Sequence, residues 1–191
     1  MNKIKLSLIF LLIISNICLS QIPSIVWNKT ISIGSGSGEA PTDFIKTIDG
    51  GFILVGVKDS DIWLVKLNSN RVKMWSKVIG GNGTDSDPKI VEQASGNFYI
   101  SSTSNSNISG NKTSNSFGST DLWVLKFDVN GNILWNKTIG GDNTETNIGI
   151  VNTSDGGIMI GASTNSNISG NKTGNTNGLN DYWFVKMNTN G

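Results

Sequence analysis

The stretch DLWVLKFD, residues 121–128, decides how the chain folds. Side chains along a β-strand point alternately to opposite faces, so Trp123, Leu125 and Phe127 share one face and Leu122 and Val124 the other. A strand with one wet face alternates apolar with polar residues. Here both faces are apolar, so both must be covered. The phrase recurs as DIWLVKLN from Asp61 and DYWFVKMN from Asp181, sixty residues apart each time.

Two further phrases keep company with it. One is WNKTISIG from Trp27, WSKVIGG from Trp75 and WNKTIGG from Trp135. The other is DGGFILVG from Asp49, ASGNFYIS from Ala94 and DGGIMIGA from Asp155. Together they define a repeating unit of four short strands. The first strand covers residues 43–49, 89–94 and 148–153. The glycine-led phrase is the second, the Asp-x-Trp phrase the third and the Trp-x-Lys phrase the fourth. Asn130-Gly131 before the fourth strand predicts a tight hairpin, since both residues tolerate the positive φ of a type I′ turn. In the fourth strand Trp135, Lys137 and Ile139 alternate with Asn136 and Thr138. Lys29, Lys77 and Lys137 there read as solvated charges that discourage edge pairing.

Four-stranded units with a doubly covered middle and a polar outer strand suit propeller blades stacked face to face. The expectation is an all-β, β-propeller-like fold of three four-stranded repeats forming an incomplete propeller. A lone fourth strand covers 26–33; unit one is 41–79, unit two 87–139, and unit three 147–191. The third unit breaks off at NTNG, inside the turn that leads to a fourth strand in units one and two. Three blades are too few to close a ring, so the expected partners include further blades of a longer parent protein, or self-association. Over residues 26–191 these repeats resemble those of secreted bacterial β-propeller proteins. Such proteins are often exported with a C-terminal type IX sorting domain, or sit in large cell-surface proteins.

The opening MNKIKLSLIFLLIISNICLSQ has the layout of a secretory signal peptide: a basic start, a short apolar run and small residues at the cleavage site. Residues 1–20 are expected to be removed, which places the protein outside the cell or on its surface. A lipoprotein signal with Cys18 as the lipidated residue fits less well, because Asn16 and Ile17 precede it. The apolar run is short for a membrane span, which needs ~20 residues, so no transmembrane segment is expected in the mature chain. The sole cysteine leaves with the signal, and the 191 residues contain no histidine. The net charge of +1 includes Lys3 and Lys5, so the remainder is close to neutral and offers no basic field for nucleic acid.

The chemistry-bearing residues gather on one rim. If the four strands alternate in direction, the short turns share one end of the units and the long loops share the other. The long loops include residues 80–88, 140–147 and two near-identical decapeptides, SNSNISGNKT at 104–113 and TNSNISGNKT at 164–173. Adaptable loops on a rigid frame are where binding concentrates. The candidate binding residues are Asp85, Asp87, Asp142, Glu145, Asn107, Asn111, Asn167 and Asn171. Oxygen-rich loops could take calcium, but no full ligand spacing is present and loop capping by Asp and Asn is the simpler reading, so no cofactor is expected. Asp61, Asp121 and Asp181 recur in every unit, as do Trp63, Trp123 and Trp183 and, in the fourth strands, Trp27, Trp75 and Trp135. A catalytic group is needed once, so this repetition points to structure. The functional expectation is a non-enzymatic scaffold that binds glycan or protein through the long-loop rim. The alternative is the propeller portion of a polysaccharide hydrolase or lyase, for which only Asp85 and Asp87 form a unique acidic pair.

Overall fold

The computed structural model describes residues 24–31 and 38–191. The chain divides into two units, Met1–Ile33 and Gly34–Gly191. The expected signal peptide, 1–20, lies outside the described residues. In the first unit, residues 24–31 form no strand, and Val26 is 94% exposed. The fourth-strand phrase at Trp27 is therefore not part of any described sheet, and residues 32 and 33 of that expected strand are not described.

The second unit is all-β, with three antiparallel sheets. The first runs in order through β1 (Glu39–Lys46), β2 (Phe52–Lys58), β3 (Asp61–Leu67) and β4 (Lys73–Ile79). The second repeats this with β5 (Asp85–Glu92), β6 (Phe98–Ser104), β7 (Asp121–Phe127) and β8 (Ile133–Ile139). The third has β9 (Glu145–Asn152), β10 (Ile158–Thr164) and β11 (Asp181–Met187), with β10 in the middle. Each sheet is a meander of neighbours joined by hairpins.

The first strand of each sheet begins earlier than its hydrophobic pattern suggests. β1, β5 and β9 start at Glu39, Asp85 and Glu145, so the sheets open two residues before the expected unit boundaries of 41, 87 and 147. Bulges account for this. The pairing slips between Pro41 and Asp43, between Ser86 and Lys89, and between Gly161 and Ala162. A bulge breaks the two-residue alternation, so the polar stretch before it reads as loop although it is still paired. Asp87 adopts a positive φ of 50° within the second of these bulges.

The short turns follow their glycines. Gly50, Gly96 and Gly156 take φ of 80°, 79° and 81° between the first and second strands. The hairpin at Asn130-Gly131 differs from the expected type I′ turn. Only Gly131 has positive φ, at 73°, and the ladder slips between Lys126 and Phe127. Asp128 explains the choice: its Oδ1 accepts from the Asn130 and Asn132 amides at 2.9 and 2.8 Å, holding a turn of ordinary hand followed by a bulge. Arg71 fills the Gly131 place in the first sheet, at φ 63°.

The second sheet lies between the other two and is apolar on both faces. Phe98, Ile100, Trp123, Leu125 and Phe127 meet Ile53, Val55, Ile62 and Leu64 of the first sheet. On the opposite face Tyr99, Leu122 and Val124 meet Ile158, Ile160 and Ala162 of the third. Leu122, Trp123, Val124, Leu125 and Phe127 are all 0% exposed, as the doubly apolar phrase requires. Each such side chain contributes about 1.5–3 kcal/mol by leaving water. Rings extend the packing: Phe98 stacks on Phe127 at 5.0 Å, and Trp135 meets Tyr99 edge-on at 5.6 Å. Neither core cluster contains residues of both the first and third sheets. Lys77 is not a simple solvated edge charge. It lies 5.7 Å from the Trp75 ring centre and donates to the Gly131 carbonyl at 2.5 Å, tying β4 to the turn of the second sheet.

Candidate functional site

The long loops do share one rim, and the repeated decapeptide shows its purpose there. Asn111 donates its amide to the Gly80 carbonyl at 2.9 Å, and its Oδ1 accepts from the Gly80 amide at 3.2 Å. Asn171 makes the same two bonds with Gly140, at 2.8 and 3.2 Å. Ser106 Oγ accepts from the Gly83 amide, and Ser166 Oγ from that of Asn143, at 3.0 and 2.9 Å. Asn105 and Asn165 accept from the amides of Thr84 and Thr144 at 2.6 and 2.8 Å. In both copies the two outer asparagines and the serine between them, Asn105, Ser106 and Asn111 in the first and Asn165, Ser166 and Asn171 in the second, thus satisfy backbone groups of the loop that enters the first strand. Gly110 and Gly170, at φ 52° and 53°, fold back closely: an added Cβ would stand 2.5 and 2.4 Å from the carbonyl oxygens of Gly80 and Gly140.

The acidic candidates separate into two groups. Asp85 and Glu145, expected on exposed loops, lie inside β5 and β9 and are 0% exposed. Asp85 Oδ2 accepts from the Gly81 amide at 2.9 Å and from Ser106 at 3.1 Å. Glu145 accepts from the Gly141 amide at 2.8 Å and from Thr164 at 2.6 Å. Asp142 is exposed and accepts from Ser169 at 2.9 Å. Asp87 is exposed, two residues from Asp85 on the bulge, and its carbonyl accepts from Asn147 at 2.8 Å. Asn107 Oδ1 accepts from the Ser116 amide at 3.2 Å, and Asn167 Oδ1 from Thr176 at 3.4 Å.

The recurring aspartates work on the same rim. Asp121 Oδ2 accepts from the Phe117 amide at 2.7 Å, and Asp181 Oδ2 from the Asn177 amide at 2.6 Å, so each closes the loop that leads into its strand. The indole of Trp123 donates to Asn136 at 3.1 Å, and that of Trp63 to Ser76 at 2.8 Å, pinning the third strand to the fourth. Burial pushes the Asp121 carboxyl above its usual range, and the nearby Glu145 charge adds to this. Burial does the same to Asp61, with Asp85 adding.

Two lysines were not singled out from the sequence. Lys112 and Lys172, in the GNKT end of each decapeptide, are 2% and 7% exposed. Lys112 Nζ donates to Ser104 at 2.9 Å and lies 5.8 Å from the Trp123 ring centre. Burial lowers its pKa, while the charges of Asp85 and Asp121 oppose that fall. A lysine kept in both copies of an otherwise uncharged phrase was the available signal. Among the described residues no group of three or more acidic, histidine or cysteine side chains could hold a metal ion. Chemically, the rim is a set of hydrogen-bonded loops over buried carboxylates, with Asn side chains and the exposed Ile108 and Ile168 facing outward. In comparisons with known proteins, no protein-family model and no curated protein matches the chain.

Proposed function

We propose that this chain is a secreted or cell-surface scaffold whose three sheets are blades of a β-propeller, and that it binds a glycan or protein partner through the decapeptide rim. The observation that carries this reading is the pair of decapeptide loops. They repeat the same hydrogen bonds sixty residues apart and leave Ile108 and Ile168 exposed at 61% and 62%. Two like side chains held at a fixed spacing on a rigid frame form a repeated contact surface. Binding is favoured over turnover because Asp85 and Glu145 are engaged by loop amides and hydroxyls.

The outer face of the third sheet supports the association of further like sheets. Tyr182 and Phe184 are 81% and 69% exposed, at the places where Leu122 and Val124 of the second sheet meet a neighbour. Exposed apolar faces of this kind mark interaction sites.

The test is a glycan array and a surface-protein pull-down with the full chain, run with and without calcium, followed by the Ile108→Asp/Ile168→Asp double variant. Loss of the captured ligand with an unchanged circular dichroism spectrum is expected. Undiminished capture by the folded variant would remove the rim from consideration.

A further inference from the structure

The opposite rim, where the short turns lie, contains a break in the repeat. In the first sheet Lys66 Nζ donates to Asp49 Oδ1 at 2.8 Å and to Thr47 Oγ1 at 2.5 Å. In the third, Lys186 lies 2.9 Å from Asp155, which also accepts from Thr153 at 2.5 Å. The second sheet keeps the lysine as Lys126 but has Ser95 where the other two have aspartate. The turns align without ambiguity, because Thr47, Gln93 and Thr153 each donate an amide across the same turn, to Gly51, Asn97 and Gly157.

A second carboxylate is missing from the same place. Beside Lys66, the neighbouring sheet contributes Glu92 to a small cavity of about 270 Å³ that Asp49 also lines. Sixty residues on, beside Lys126, the corresponding residue of the third sheet is Asn152. The first junction therefore sets two carboxylates against one ammonium, whereas the second sets none. Lys126 Nζ donates to the Thr189 carbonyl at 2.9 Å and lies 5.3 Å from the Tyr99 ring centre. It opens onto a groove of about 650 Å³, lined also by Gln93, Ser95, Asn97, Asn152 and Ser154. That volume lies within the range of small-molecule sites.

We propose that this groove binds a sugar acid, with the ligand carboxylate on Lys126 in the place that Asp49 and Asp155 fill in the other two sheets. One ammonium balances one negative charge, which favours a monoanionic residue over a phosphate dianion. Gln93 and Asn152 already donate to the Gly156 and Glu92 carbonyls, so their side-chain oxygens, with the Ser95 and Ser154 hydroxyls, are the groups that pair with sugar hydroxyls, and the lining offers no exposed aromatic anchor for a peptide side chain. The charge-assisted bond supplies the anion preference, and the surrounding side chains supply the hydroxyl contacts. This site lies on the rim opposite the decapeptides and stands or falls independently of them.

The test is calorimetric titration of the full chain with trigalacturonate, with neutral trigalactose and triglutamate as comparison ligands. Trigalacturonate is expected to bind and to weaken as salt is raised. Lys126→Met is expected to reduce affinity at least tenfold. Ser95→Asp restores the repeat and is expected to do the same, without lowering the melting temperature. Absence of trigalacturonate binding, or binding unchanged in both folded variants, would overturn the proposal. Tighter binding of triglutamate would overturn the sugar assignment and point to an acidic protein segment.

Discussion

β7 and β11 carry the same Asp-x-Trp phrase in the same register with the strand before it, yet their surroundings differ. In β7 Leu122 and Val124 are 0% exposed beneath the third sheet. In β11 Tyr182 and Phe184, at the same positions, are 81% and 69% exposed, while Trp183 and Val185 still pack inward on the second sheet. The difference shows that the neighbouring sheet, not the strand's own sequence, confers burial. Two of the five apolar side chains of β11, Tyr182 and Phe184, therefore add little buried area to the described fold, whereas all five of β7 are buried.

The largest effect that can break this comparison is a truncation on the differing face. Leu122→Ala is expected to destabilise by about 2–5 kcal/mol, through lost transfer energy and the cavity left behind. Tyr182→Ala is expected to stay within about 0.5 kcal/mol, as exposed substitutions do. Urea unfolding of both variants measures the gap. Equal costs would mean that the two faces are covered alike in solution.

Next come the loops, where the two regions are expected to agree. Gly110→Ala and Gly170→Ala each force a side chain into a left-handed conformation against a carbonyl oxygen. Each is expected to cost about 1–3 kcal/mol. A large cost for Gly110 with none for Gly170 would show that the third-sheet loop is not held as the second-sheet loop is.

The smallest effect is electrostatic and separates the first sheet from the second. The Lys66 ammonium, with help from Thr47, holds the Asp49 carboxyl at about 2. Its folded pKa lies below the unfolded value of about 3.9, so its contribution is present above pH 4 and is lost as pH falls toward 2. The Asp49 side chain is 58% exposed, which limits this contribution to under about 1 kcal/mol. Asp49→Asn is expected to flatten stability across that window in thermal melts taken from pH 5 to pH 2. Buried Asp121 works in the opposite sense: its raised pKa favours the protonated native form, so its contribution grows as pH falls from neutrality.

The strand order and the sixty-residue period were legible in the sequence because they rest on alternation and glycine turns. The doubly apolar reading matches the structure at Leu122, Trp123, Val124, Leu125 and Phe127, whereas the same reading of the Asp181 phrase fails at Tyr182 and Phe184, which no described sheet covers. The starts of β5 and β9 were not legible, because a buried acid before a bulge has the composition of a loop. Asp85 and Glu145 read as rim ligands for that reason, although both lie fully buried on loop amides. The decapeptide was recognisable as a repeated element, but its bonds join residues about thirty apart, and no local pattern records them. The contrast between Ser95 and the aspartates at 49 and 155 was present in the aligned turns. Its consequence needed the placement of Lys126, which only the paired strands supply.

Hydrogen–deuterium exchange on the full chain, read at single-amide resolution, tests the comparison most directly. The account predicts that the ladder amides of β7 exchange only through global unfolding, while those of β11 exchange faster, through local opening at an edge covered on one face. Equal protection of the two strands, with both tracking global stability, would contradict it.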